Sequence, residues 1–277
     1  PGVLAALAHE GLVVEAVVDI KDVGQVDEWL ALPEHERPLI VAAGGDGTVG
    51  TVADRTAHAG AILGILPLGT SNDVARSLAI PMRIEAAAAL LRHGRVATVD
   101  AGYVRFADGS SRYFVHAAAT GLNVTFSRMA GRASLRRRLG RLNYLFSAVV
   151  AWRSRHSFAC ELLVPDREVP LRLLHLSVIN APIFGGFLRL RLSGSEIDNR
   201  RLAVLAIEAG SSFRLLLAGL ALLLRRTPRV GGIHLYHVPR LSVRSAEPLP
   251  LSLDGEVRGN LPGSFEIAVG ALRMVTP

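Results

Sequence analysis

The stretch GGDGTVG, Gly44 to Gly50, sets glycines at 45, 47 and 50, the G-x-G-x-x-G spacing of a dinucleotide-binding turn. It follows the apolar run Pro38 to Ala43 and precedes a helix-compatible stretch, Val49 to Ala57, the strand, turn and helix order that such a turn requires. A dinucleotide site also needs an acidic residue after the next strand, about 20 residues on, to hold a ribose hydroxyl. Here the next apolar run, Ala61 to Leu66, ends instead in a second loop, PLGTSND, Pro67 to Asp73. Asp46 sits inside the first loop, where a carboxylate repels a pyrophosphate unless a cation stands between them. Two loops and two carboxylates point to a nucleotide held together with a cation.

Working outward, short apolar runs alternate with helical patterns through the first hundred residues. Helix is expected at Leu4 to Glu10, Val26 to Leu32, Val49 to Ala57, Asp73 to Leu78 and Ile84 to Leu91, and strand at Leu12 to Val18, Leu39 to Ala43 and Ile62 to Leu66. That rhythm predicts an α/β nucleotide-binding domain with a parallel sheet over residues 1–100, its opening strand lacking and its sheet open to completion by the C-terminal tail. From Thr98 onward many short strands bounded by turns predict a mainly antiparallel β-sandwich second domain over residues 101–277, interrupted by helices at Leu135 to Trp152 and Ser211 to Arg226. The boundary is expected near Asp100, just after a strand.

In a parallel α/β sheet, loops after successive strands gather at the carboxyl edge. Gly44, Gly45, Gly47 and Gly69 then let the backbone approach phosphates, and Thr48 and Thr70 add hydroxyls. Asp46 and Asp73 fit such a site through Mg²⁺, an oxygen-seeking cation that keeps several waters. Taken singly, either loop also reads as a tight turn with a capping Asp or Asn. Asp100, in Thr98 to Gly102, reads from spacing as a turn residue, and Asp254-Gly255 between alternating apolar strands as a hairpin.

Composition narrows the classes. Half of the 277 residues are apolar and 20% are charged, which excludes a disordered chain. The net charge of +7 is carried almost wholly by arginine, because Lys21 is the single lysine and lies outside any Gly-rich loop. A Walker A loop or a protein kinase strand needs a lysine beside the phosphates, so both are excluded. The densest basic cluster, Arg132, Arg136, Arg137, Arg138 and Arg141, suits a nucleic acid or an anionic membrane surface, or else a solvated helix face. Cys160 stands alone, which excludes an intramolecular disulfide and fits a reducing compartment. The longest apolar run, Leu215 to Leu224, is too short to span a bilayer. The nine histidines show no H-E-x-x-H spacing, and there is no G-x-S-x-G elbow. His116 and His175, in strand-like runs, read as core or surface residues.

GGDGT at Gly44 to Thr48, PLGTSNDVAR at Pro67 to Arg76, VDAG at Val99 to Gly102 and LDGE at Leu253 to Glu256, in that order, resemble the signatures of the diacylglycerol kinase catalytic family. That family includes soluble bacterial diacylglycerol and lipid kinases and is related to sphingosine and ceramide kinases. The resemblance implies transfer of the γ-phosphate of ATP to a lipid hydroxyl, with Mg²⁺ in the cleft. It implies Asp254 as the base that accepts the hydroxyl proton and Glu256 as its support. Gly44, Gly45, Asp46, Gly47, Thr48, Gly69, Thr70 and Asn72 would hold the nucleotide, and Asp46, Asp73 and Asp100 would form the magnesium and water network. Replacing Asp254 is expected to abolish most activity while sparing the fold. The expected partners are a lipid substrate and, peripherally, an anionic membrane surface, from a cytoplasmic position; nucleic acid is not expected, and a homodimer is left open. The family's acidic turn reads here Gly194 to Leu202, with Asp198 followed by Asn199 and Arg200, which argues against a structural metal there. The alternatives are an NAD kinase, which shares GGDGT, and a catalytically idle lipid-binding or regulatory protein.

Overall fold

The computed structural model describes residues 2–121, 157–165, 167–184, 190–191, 199–209 and 232–277. Helix α1, Gly2–His9, is followed by a 3₁₀ turn, Ile20–Gln25, leading into α2, Val26–Leu30. Between them the expected strand Leu12 to Val18 does not form: residues 12–19 are coil, and Val13, Val14 and Val17 are exposed. A strand is fixed by a neighbour that takes its N–H and C=O groups. Among the described residues none pairs with this segment.

Strand β1, Ile40–Gly44, helix α3, Asp46–Ala59, and strand β2, Ile62–Pro67, form the parallel unit that the glycine-rich stretch predicts. Ile40 lies opposite Leu63 and Gly44 opposite Pro67, so the two loops leave the sheet at the same level. Gly60 ends α3 in the left-handed conformation, φ 65°, where a side chain would be strained. Helices α4, Asp73–Ser77, and α5, Ile84–His93, follow. Val49, Val52 and Ala53 of α3 pack with Ile40, Ala42, Leu63 and Ile65 in one core. Ala87, Ala88 and Leu91 of α5 join Leu7 and Leu66 in another.

The rest of the described chain is strands: β3, Arg95–Phe106; β4, Ser111–Phe114; β5, Ala117–Gly121; β6, Phe158–Val164; β7, Arg167–Ile179; β8, Ile183–Phe184; β9, Leu190–Arg191; β10, Leu202–Glu208; β11, Ile233–Val238; β12, Arg240–Arg244; β13, Leu249–Leu253; β14, Glu256–Leu261; and β15, Gly263–Thr276. These strands pair antiparallel among themselves. Among the described residues they share one mixed sheet with β1 and β2, with the path β1-β2-β15-β12-β6-β7-β5-β13-β14 and the others branching from it, apart from the pair β8 and β9. The joint is β15, which is parallel to β2 at Arg273 and Met274 but antiparallel to β3 over most of its length and to β12 at Gly263 to Glu266.

Asp100 does not follow a strand. It lies inside β3, opposite the register shift in β15 between Ala268 and Leu272. Its carboxylate oxygen Oδ1 accepts the N–H of Gly270, φ 63°, at 2.8 Å, so a side chain closes the bulge where the ladder lapses. Beyond it, Phe114, Phe265, Leu162, Leu173, Leu202, Val204, Leu251 and Leu261 form the core of the antiparallel part.

Candidate active site

The two loops touch through their glycines. A Cβ on Gly69 would stand 2.4 Å from the Gly45 Cα, and one on Gly45 would stand 3.2 Å from the Gly69 Cα. Leu68 N–H donates to the Gly44 carbonyl at 3.0 Å. Asn72, left-handed at φ 51°, clips the second loop: its Oδ1 accepts the Gly69 N–H at 2.9 Å, and its Nδ2 donates to the carbonyls of Pro67 and Gly69. Asp46 then ties loop to loop, its Oδ1 accepting the Val74 N–H of α4 at 2.9 Å. This carboxylate caps a helix 28 residues away in sequence. Thr48 stands above Gly44, where an added Cβ would meet its Oγ1 at 2.5 Å, and Thr70 is exposed.

One stripe of α3 faces the distant strands. A Cβ on Gly50 would lie 2.3 Å from Asp254 Oδ2, and one on Gly47 would lie 3.4 Å from the Asp254 carbonyl. Asp54, a helical turn further on, accepts the Tyr113 N–H at 2.7 Å, and the His58 ring meets the Tyr113 ring edge-on at 4.8 Å. The spacing that imitates a dinucleotide turn therefore serves two contacts. Gly45 admits the second loop, while Gly50 admits the β13–β14 hairpin.

Asp254, at φ 49° and buried, is the centre of that hairpin. Its Oδ2 accepts the Val115 N–H at 2.9 Å, and its Oδ1 accepts those of His116 and Ala117 at 2.8 and 3.0 Å. Three consecutive amides converge on one carboxylate at the break between β4 and β5, within the run Tyr113 to Ala118. Burial pushes the Asp254 carboxyl above its usual range, against the opposing pull of the three N–H groups and of His116. An expectation is revised here. A side chain that holds a chain break in a buried place is part of the fold, so its removal disturbs structure. Glu256 is half exposed and is held by Arg258, whose Nη2 donates to Glu256 Oε2 at 2.6 Å and to Thr51 Oγ1 at 2.7 Å. Thr51 Oγ1 donates in turn to the Gly47 carbonyl at 2.8 Å, fastening the hairpin to α3.

Asp73 is buried, and its Oδ2 lies 3.7 Å from His116 Nε2. Asn180 Nδ2 donates to the carbonyls of Asp100 and Val115, at 3.1 and 2.9 Å, linking β3 to the Asp254 clasp. Sequence reasoning gave no role to His116, Arg258 or Asn180. The available signal was a polar residue, His116, inside an apolar run.

The carboxylates of Asp46, Asp73 and Asp100 offer the hard oxygen donors that magnesium takes, and Asp100 Oδ2 is buried without a hydrogen-bond partner among the described residues. Among the described residues no three His, Cys, Asp or Glu side chains gather as a ligand cage. The donor set fits a magnesium ion held by one or two carboxylates together with substrate phosphates. The arginine cluster at 132–141, the expected helices at Leu135 to Trp152 and Ser211 to Arg226, and Asp198 lie outside the described residues. Among those described, no helix is long and apolar enough to cross a membrane.

The family model of the diacylglycerol kinase catalytic domain matches residues 3–104. The diacylglycerol kinase of Bacillus subtilis (strain 168) is 29% identical over 248 residues, 88% of this chain and 79% of that protein. A protein of Pseudomonas aeruginosa (strain UCBPP-PA14) named Probable lipid kinase YegS-like is 30% identical over 243 residues, 86% of this chain and 76% of that one. The crystal structure of a diacylglycerol kinase from Bacillus anthracis str. Sterne superposes with a TM-score of 0.74, covering 99% of this chain and 89% of that one, at 19% identity. That last likeness is one of fold.

Proposed function

The chain belongs to the diacylglycerol kinase catalytic family of lipid kinases, and from that premise we propose that it transfers the γ-phosphate of ATP to the hydroxyl of diacylglycerol or a close lipid relative. The observation that carries the reading is the packing of the Asp254 hairpin on the first turns of α3, which brings a buried carboxylate beside two interlocked glycine loops. Phosphoryl transfer asks a protein mainly for alignment and charge neutralisation.

In this reading Gly44, Gly45, Gly47 and Gly69 bring the backbone close to the nucleotide phosphates, aided by the amides at the start of α3 and by the hydroxyls of Thr48 and Thr70. Asn72 acts through the loop, since its amide is engaged in holding Gly69. Asp254 accepts the proton of the lipid hydroxyl as its oxygen attacks phosphorus, and Glu256, fixed by Arg258, supports the hairpin. Asp46, Asp73 and Asp100 would hold Mg²⁺ directly or through water, and that ion would neutralise charge on the phosphates. A lipid acceptor draws the protein to a membrane surface, and peripheral contact with anionic lipid is part of this reading.

Transfer of labelled γ-phosphate from ATP to diacylglycerol in mixed micelles with Mg²⁺ tests it. Labelled phosphatidate is the expected product. Folded protein that labels none of several lipid alcohols but does phosphorylate NAD would replace this reading with an NAD kinase, and labelling of neither would leave a lipid-binding protein.

A further inference from the structure

His116 occupies the junction of three elements. Its peptide N–H is one of the three donors to Asp254. Its carbonyl accepts the N–H groups of Asn180 and Ala181 at 3.0 and 3.2 Å, so the segment before β8 is folded onto it. Its ring nitrogen Nε2 lies 3.1 Å from the Ile183 carbonyl and 3.7 Å from Asp73 Oδ2. A carbonyl oxygen only accepts, so Nε2 must carry the hydrogen. At 3.7 Å the Asp73 contact is too long for a hydrogen bond, yet close enough for the N–H dipole to be attracted to the carboxylate. The side chain keeps 18% of its surface exposed, against 3% for Asp73.

The consequence concerns spacing. Asp73 belongs to the second loop and Asp254 to the hairpin. Both are buried acidic side chains. One residue reaches both, the first with its ring and the second with its backbone, while β8 holds the ring from behind.

We propose that His116 is a positioning residue, whose Nε2–H, held by the Ile183 carbonyl and facing Asp73, sets the second loop at its working distance from Asp254. This rests on the lipid kinase reading for its kinetic consequence, but not for its structural one. An apolar ring of similar size would fill the space and leave the loop unguided. A glutamine, which carries an N–H at similar reach, would restore the guidance.

The test compares wild type, His116→Phe and His116→Gln by kcat and KM for ATP and lipid, and by amide hydrogen exchange of peptides covering residues 67–78. For His116→Phe, kcat should fall about 10- to 100-fold, as a misplacement near 1 Å produces. KM for the lipid should stay within about twofold, while KM for ATP should rise, because Gly69 and Thr70 ride on the displaced loop. Exchange in residues 67–78 should quicken, and His116→Gln should recover both properties. Full kcat in His116→Phe, or an equal fall in both variants, overturns the proposal. If wild type phosphorylates no lipid, the functional reading fails separately and exchange alone decides. Faster exchange in His116→Phe that His116→Gln reverses sustains the positioning role, and unchanged exchange overturns it.

Discussion

Replacing Gly50 with alanine puts a methyl group where the Asp254 side chain already stands. The added carbon would lie 2.3 Å from Oδ2, 2.5 Å from Cβ and 2.7 Å from Cγ of Asp254. Ordinary contact begins near 3.4 Å, so one partner must retreat by about 1 Å. Asp254 is not a free side-chain end that swings aside, because three main-chain amides hold its oxygens. Overpacking costs about 1–3 kcal/mol, and a lost hydrogen bond to a charged group about 1.5–3 more. Exchanging glycine for alanine within a helix returns about 1 kcal/mol. The balance is a loss of about 1.5–5 kcal/mol, or about 3–20 °C in Tm for a chain of this size. A base displaced by about 1 Å should also cost about 100-fold in kcat. The control is Gly47→Ala, whose added carbon would meet the Asp254 carbonyl at 3.4 Å and Glu256 Oε1 at 3.6 Å, both ordinary contacts. Thermal unfolding of both variants, and phosphate transfer by Gly50→Ala, check the reasoning. A Gly50→Ala protein that matches wild type in both would refute it. An equal fall in Tm at Gly47 would show that the Asp254 contact is not what sets the cost at Gly50.

Three further outcomes are expected. Asp254→Asn offers one acceptor oxygen and an NH₂ group to three amide donors, so it should lower stability by about 1–3 kcal/mol as well as remove transfer activity; an unchanged Tm would contradict the clasp. His175 is hydrogen-bonded to Ser177 Oγ at 2.7 Å, and burial pushes its imidazole down to about 4. The unfolded chain, near 6.5, takes up that proton first, so stability is complete above pH 6.5 and is lost as pH falls towards 4. The loss between pH 7 and pH 5 is about 2 kcal/mol. Urea midpoints should show that slope, and His175→Gln should abolish it. Burial pushes the Cys160 thiol up to about 11, so a thiol reagent at pH 8 should label it only after denaturation. Rapid labelling of the native protein would disprove its burial.

The parallel unit is legible because its signals are local. Apolar runs, glycine turns and helical periodicity specify β1, α3 and β2 within about thirty residues, and the loops fall where the strands end. The remainder is set by partners far away in the chain. The apolar run Tyr113 to Ala118 breaks at Val115 and His116 because a carboxylate 138 residues further on gathers its amides. Asp100 reads as a turn residue, yet its strand continues to Phe106, since the irregularity it answers belongs to β15 at Gly270. Leu12 to Val18 has the pattern of a strand without a neighbour among the described residues to complete it. The G-x-G-x-x-G spacing misleads for the same reason, as a glycine marks close approach and does not name what approaches.

The clasp at Asp254 also bears on its proposed chemistry. A carboxylate offers about four acceptor positions. His116 and Ala117 take two on Oδ1 and Val115 takes one on Oδ2, which leaves one on Oδ2. That same oxygen faces the missing Cβ of Gly50. Burial raises the proton affinity of the group, and the three N–H groups moderate it. The break between β4 and β5 sets how many donors the group meets, and one more would leave no acceptor for a hydroxyl. The structural clasp and the proposed base are therefore one arrangement, and the glycine at 50 is what allows both.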